Sequence, residues 1–427
     1  MRLRDSLFGS EATVISERNF QLLLLANIFP AIGTALLSPV LDTLIEPLGA
    51  SPATIGLMVS FFTAPAIFVI PLAGVLADRY GRRLVLAASL TLFGFAGSAI
   101  ALTTNFALVL GLRMIQGVAF AGLTPILVTS VGDLYAGTRE ATAQGLRFSG
   151  SGLAQMVFPL LAGVLVAIRW RYPFFLFALA IPTAVIFFRW YDEPATDSTT
   201  GTTGQSIQSS DGLSYRKALF DLVRHRRVLA LTTARALGPI VWISFLTYNS
   251  VIVIRVINGT PSEAGVLVAI GSLVFAASAS QSGRVTEIFG SRYVPLLISN
   301  TAQAVGFGVV LLAPGIPIAA AGIVIVGVGF GIEISLYRSI ITGIAPTALR
   351  AGFVSVAEAA SRVVITLTPI VIGWAIAVTR PVVGLSQAVQ LSILSIILFG
   401  SAGRIGLLII ARVSPQPPTE RMSPVDG

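Results

Sequence analysis

The chain has 427 residues, 55% of them hydrophobic and only 11% charged, with a formal net charge of +9. A soluble protein carries roughly a quarter charged residues, so this chain has too few to cover a water-facing surface. It has no cysteine and one histidine, which excludes disulfides, thiolate nucleophiles, thiolate metal sites and a histidine zinc cluster.

Taken in chain order, apolar runs of the roughly 20 residues a membrane helix needs are expected at 20–46, 52–77, 84–104, 106–133, 139–167 and 171–190. A polar stretch from 191 to 227 follows, then six more runs at 228–254, 262–283, 293–312, 316–343, 351–378 and 384–411. These predict an all-α integral membrane protein of twelve transmembrane helices. The N-terminal bundle is expected over 1–193, a linker over 194–227, and the C-terminal bundle over 228–427, with a disordered tail from Ser414. The first run is too long for a cleavable signal and leads directly into another span. Thr196 to Ser210 reads as flexible from its Ser, Thr and Gly content. Ser214 to Arg227 fits a surface helix or a charged linker equally well.

Placing the N-terminus inside puts eighteen Arg and Lys on the cytoplasmic side and only Arg169, Arg171, Arg255 and Arg380 outside. That is a strong positive-inside bias. Both termini are therefore expected in the cytoplasm and the chain in the plasma membrane. The basic balance then reflects topology and contact with the lipid bilayer, and no nucleic-acid partner is needed to explain it. His225, within the basic run Arg224 to Arg227, is expected to be a solvated loop residue.

The two halves repeat. Gly74, Asp78, Gly81 and Arg83 recur as Gly283, Glu287, Gly290 and Arg292, each 209 positions on. Pro52 and Gly56 match Pro261 and Gly265 at the same offset, and Pro159 and Gly163 match Pro369 and Gly373 at 210. A duplicated charged hairpin between two spans is the mark of a transporter built from two repeats.

Gly74 to Arg83, read G-V-L-A-D-R-Y-G-R-R, resembles the signature loop between the second and third helices of the major facilitator superfamily. The resemblance covers residues 20 to about 412. It implies two six-helix bundles around a central cavity that opens alternately to either side. It also implies that Asp78, Arg79, Arg82 and Arg83 latch the cytoplasmic face when the cavity opens outward, with Asp78 against a helix N-terminus of the other bundle. Glu287 is the expected second-half counterpart. Arg113 and Gln116 resemble the fourth-helix pattern R-x-x-Q-G, which in proton-driven exporters of the family is associated with proton coupling. The alternative for Arg113 is a structural arginine tied to backbone carbonyls and Gln116. A fifth-helix exporter pattern is met only in part: Gly145, Pro159 and Gly163 fit, while Ala154, Phe158 and Ala162 stand where glycines are expected. This departure leaves uptake open.

Proton coupling needs a titratable group inside the membrane. Glu333 and Arg362 are both expected roughly 15 Å from the cytoplasmic ends of their spans, so a Glu333–Arg362 pair is predicted. Glu358, four residues before Arg362, shares its helix face. The alternative is a fixed ion pair joining two helices. Asp42 is expected hydrated at the outer mouth, and Arg147 and Arg235 are expected to snorkel. By the family resemblance the cavity is lined by the first, fourth, seventh and tenth helices. That makes Asn27, Arg113, Trp242, Tyr248, Asn249, Glu333 and Tyr337 candidate cavity residues, with aromatics suited to an apolar or cationic ligand.

Gly327, Gly329 and Gly331 mimic a nucleotide loop but lie in an expected span, with no strand before and no P-loop lysine after. No cofactor or metal is therefore expected, and no catalytic dyad is present. The leading expectation is a proton-linked exporter of small organic or lipophilic compounds, monomeric as the family implies. The alternatives are an importer of a small metabolite and, in a different class, a non-transporting membrane sensor or scaffold.

Overall fold

A computed structural model describes residues 10–193, 211–346 and 348–415. The expectations for Thr196 to Ser210 and for the tail beyond residue 415 lie outside these residues. Every regular element described is helical.

Among the described residues, eleven helices are long and apolar enough to cross a membrane. The second to sixth spans are Leu57–Tyr80, Arg82–Leu102, Phe106–Leu134, Gly137–Ile168 and Tyr172–Trp190. The seventh to twelfth are Arg226–Val256, Pro261–Ala279, Tyr293–Leu311, Ile316–Ile344, Gly352–Val383 and Leu385–Val413.

The expected first span is not one continuous helix. It comprises Arg18–Ala26 and Ile28–Ala35, then turns leading to a short 3-10 element at Asp42–Leu44. Pro30 and Pro39 each lack an N–H for the helical ladder. Beyond Ala35 the bonds tighten to the third residue back, as in Leu37 N to Thr34 O. The Gly33 carbonyl, so released, accepts Arg113 Nη2 at 2.9 Å.

The seventh span is also irregular. Gly238 and Pro239 separate two α-helical pieces, and a π turn at Ile252–Val256 carries Arg255. The residues around 214–227 form a helix, Asp211–Arg224, so the helical alternative for this segment is the one observed.

Neighbouring spans within each half pack closely, the ninth on the tenth and the third on the fourth among them. Between halves, the fifth span packs on the eighth and the second on the eleventh. The glycines of the internal repeat lie at these two seams. A Cβ on Gly163 would meet Pro261 O at 2.6 Å, and one on Gly265 would meet Pro159 O at 2.6 Å. On the other seam a Cβ on Gly373 would meet Ala53 O at 2.0 Å, and one on Gly56 would meet the Tyr248 hydroxyl at 2.9 Å. Only a missing side chain lets the backbones approach so closely.

Candidate transport site and gates

The seams close one end of the molecule, opposite the Gly74–Arg83 loop. There Asp42 and Arg255 join the halves: Arg255 Nε donates to Asp42 Oδ1 at 3.0 Å and to Oδ2 at 3.1 Å. The Asp42 N–H donates to Ser250 Oγ at 3.0 Å. Asp42 was expected hydrated at a mouth, yet it is 3% exposed, because the π turn carries Arg255 over it. Deeper in the same seams, Ser60 Oγ donates to Thr366 O at 2.8 Å, and the Thr63 and Thr366 hydroxyls lie 3.0 Å apart.

At the other end, the first charged loop is tied within its own half. Arg82 Nε is 2.6 Å from Asp133 Oδ2 at the end of the fourth span. The Arg82 N–H donates to the Glu193 carboxylate. Arg83 Nε donates to the Phe188 carbonyl, and its guanidinium lies 4.8 Å from the centre of the Phe188 ring. Arg79 stacks on Tyr80. Gly81 turns the chain at φ +85°, with the Glu193 carboxylate where a Cβ would stand. Asp78 is exposed, and Gly74 has no neighbour within 4 Å of a would-be Cβ. The expected contact of Asp78 with the other bundle is thus not made in this conformation.

In the second copy, Gly283 and Glu287 lie on a short helix, Ser282–Phe289, closed by Gly290 in the left-handed region at φ +57°. Arg292 caps the ninth span. In the first half, Glu17 ion-pairs with Arg139 and accepts from the Tyr135 hydroxyl at 2.9 Å. Burial, then the Glu17 carboxylate, pushes the Tyr135 phenol well above its usual range.

Arg113 is fully buried. Its Nε donates to Met58 O at 3.0 Å, Nη2 to Gly33 O, and Nη1 to Gln116 Oε1. Its guanidinium lies 4.2 Å from the centre of the Phe62 ring. No carboxylate is among these partners; backbone carbonyls and one amide hold the charge.

The expected Glu333–Arg362 pair is not formed. Glu333 pairs with Arg404 of the twelfth span, both side chains 2% exposed, and accepts from Gln303 Nε2. Glu358 pairs with Arg235 rather than with Arg362. Arg362 instead faces the Phe120 ring at 5.5 Å. Rotation about the helix axis turns Glu333 into its own bundle, toward the twelfth span. Arg404 carried a readable signal, a lone arginine inside an apolar run, and so did Arg338.

The remaining expected cavity residues are buried in packing. Trp242 stacks on Phe330 at 5.2 Å. Tyr248 donates to Pro369 O at 3.1 Å on the seam, and Asn249 Nδ2 donates to Ala264 O at 2.9 Å. Tyr337 lies beside the Glu333–Arg404 pair. Asn27 Nδ2 donates to Arg147 O at 3.0 Å and to Ser151 Oγ. The second half repeats this clip: Arg235 Nη1 donates to Ala357 O at 2.9 Å and to Ser361 Oγ at 3.0 Å. Arg147 and Arg235, expected to snorkel, are held by these clips instead.

A helical bundle pair joined at one end and separately tied at the other is the architecture of a membrane transporter. The Major Facilitator Superfamily model matches residues 23–369, and the chain belongs to that family. It is a transporter of this family rather than an enzyme. It is 30% identical over 150 residues to the bacillibactin exporter of Bacillus subtilis, covering 34% of this chain and 37% of that protein. It is 26% identical over 171 residues to the quinolone resistance protein NorA of Staphylococcus aureus, covering 40% and 44%. The matched segments thus span less than half the length of these relatives. Among solved structures it resembles a bacterial homologue of the human lysosomal transporter Spinster in an inward-facing, unoccupied conformation, with TM-score 0.77, 18% identity, and coverage of 92% of this chain and 96% of that one. It also resembles the D-xylose–proton symporter, with TM-score 0.73, 15% identity, and coverage of 94% and 99%. At such identities these structures bear on the fold alone.

Proposed function

We propose that the protein is a proton-coupled exporter of small organic or lipophilic compounds that works by alternating access. The observation that carries this reading is the asymmetry between its ends. At one end, two repeat-related glycine seams and the Asp42–Arg255 pair join the halves. At the other, Arg82 and Arg83 bind, among the described residues, only residues of their own half. A bistable pair of rigid bundles needs such exchangeable contacts at each end.

The excess of arginine at the loop end supports a cytoplasmic position for that end and for both termini, in a plasma membrane. The structure then corresponds to the inward-open half of the cycle. In the outward-open half, the Gly74–Arg83 loop and its Gly283–Arg292 counterpart latch the cytoplasmic side, with Asp78 accepting from a helix N-terminus across the interface. The relative named as a bacillibactin exporter favours outward transport, and the chain acts as a monomer with protons as the coupling ion. Arg113 and Gln116 are the proposed link between the proton path and the first and second spans, whose carbonyls Arg113 holds.

Inside-out vesicles energised to an acid interior test this reading. A chemically broad compound panel is added and the acid gradient followed. Collapse of the gradient by a compound, only in vesicles holding the protein, is the expected result. Accumulation of a metabolite by right-side-out vesicles, with no gradient collapse in the inside-out ones, would replace the exporter by an importer.

A further inference from the structure

Below the closed seams, on the loop side, the two halves next meet through cation–π contacts. Arg338 of the tenth span lies 5.4 Å from the centre of the Phe148 ring on the fifth. Arg147 lies 5.1 Å from the same ring. Across the interface, Arg362 of the eleventh span faces Phe120 of the fourth. Counting 1.5 Å per residue from the loop-side helix ends puts Arg338 about 9 Å, Arg147 about 15 Å and Arg362 about 18 Å deep.

The charges here do not balance. Arg147 is bonded to the neutral Gln144 and Asn27 oxygens. Glu358, the carboxylate next to Arg362, ion-pairs with Arg235, so Arg362 has only a share of its charge. The other membrane carboxylate of this half, Glu333, is taken by Arg404. Among the described residues, no carboxylate lies within ion-pair distance of Arg147, Arg338 or Arg362. A guanidinium inside a bilayer costs several kcal/mol unless an anion or water meets it. Arg147 and Arg338, from opposite halves and sharing one ring, repel each other, and Arg362 stands beside the like-charged Arg235. Arginine forks bind carboxylate, sulfonate and phosphate oxygens bidentately. Phe148, 50% exposed, offers an apolar face beside them.

From this geometry we infer that the transported compound is an organic anion with an aromatic or apolar body, its acidic group held between Arg338 and Arg362 beneath the closed seams. The inference rests on the transporter reading; of the apolar or cationic ligand expected from the aromatics it keeps the apolar body and reverses the charge. An anion entering this space neutralises the repulsion across the interface. Its binding therefore also favours approach of the two halves at the loop end, which is the movement that outward opening requires.

The test compares two fluorescent probes of similar size, anionic carboxyfluorescein and cationic ethidium, in energised inside-out vesicles. Carboxyfluorescein is expected to accumulate and ethidium not. Arg338→Gln and Arg362→Gln are each expected to lower carboxyfluorescein uptake at least tenfold, with Arg338→Lys and Arg362→Lys recovering part of it. Because the native groups repel one another, purified Arg338→Gln is expected to melt no lower than the parent. Uptake of ethidium alone overturns the anionic substrate and leaves the transporter reading standing. Uptake of neither probe also overturns it, and the broad-panel gradient assay then decides the transporter reading separately. Carboxyfluorescein uptake unchanged in both Gln variants overturns the site.

Discussion

Asp42 and Arg255 face each other across the boundary between the two bundles, Arg255 Nε sitting 3.0 Å and 3.1 Å from the two carboxylate oxygens. One partner is buried and the other 44% exposed, so the pair is worth about 1 kcal/mol. That is a several-fold shift in a two-state equilibrium. Asp42→Asn is predicted to open this end more often. The chain has no cysteine, so Thr247→Cys, fully buried at the seam, reports directly. Its labelling by a membrane-impermeant maleimide should rise several-fold in the Asp42→Asn background. Unchanged labelling would show that the pair does not hold the gate.

The seam glycines should be less forgiving than the ion pair. Gly373→Ala places a methyl 2.0 Å from Ala53 O, which is backbone and cannot swing aside. Gly308→Ala meets nothing within 4 Å and serves as the control. The first variant should label at Thr247→Cys even with Asp42 intact and should transport poorly. The second should match the parent in both assays.

Those glycines were legible because a duplication repeats them at offsets of 209 and 210, and close helix approach is the reason such positions recur. The spans were legible too, since length and apolarity suffice, apart from the first, where Pro30 and Pro39 break a run that hydropathy alone reads as continuous. The partner of Glu333 was not legible. Each residue turns a helix by about 100°, so depth fixes height and leaves the facing direction open. Arg362 points at Phe120, while Arg404 supplies the counterion from the twelfth span. Asp133, a partner of Arg82, escaped for the same reason, while Glu193 reaches Arg82 from non-helical chain whose course the sequence does not fix.

Glu333 and Arg404 form a buried pair, and removing one member strands the other. Glu333→Gln or Arg404→Gln alone is predicted to cost about 3–5 kcal/mol of stability. The apolar double variant Glu333→Leu with Arg404→Met should recover most of that loss. Thermal melting of the purified protein checks it. Single variants as stable as the parent would mean the pair is not formed. Full pH-driven transport by Glu333→Gln would remove Glu333 as proton carrier.

Asp78 makes no hydrogen bond or ion pair among the described residues in this conformation. Asp78→Asn should therefore change melting by no more than about 0.5 kcal/mol while lowering turnover at least tenfold, because its proposed partner appears only when the loop end closes. Normal turnover in this variant would end the latch reading.

The account turns on two ends that open in opposition. Spin labels at Ser51 and Ser386 span the seamed end, and labels at Thr138 and Thr342 span the loop end. Pulsed distance measurement in lipid, with and without a transported compound and a proton gradient, addresses both pairs. Alternating access predicts that the Ser51–Ser386 distance lengthens as the Thr138–Thr342 distance shortens. Two distances that stay fixed under every condition, or that lengthen together, would contradict it.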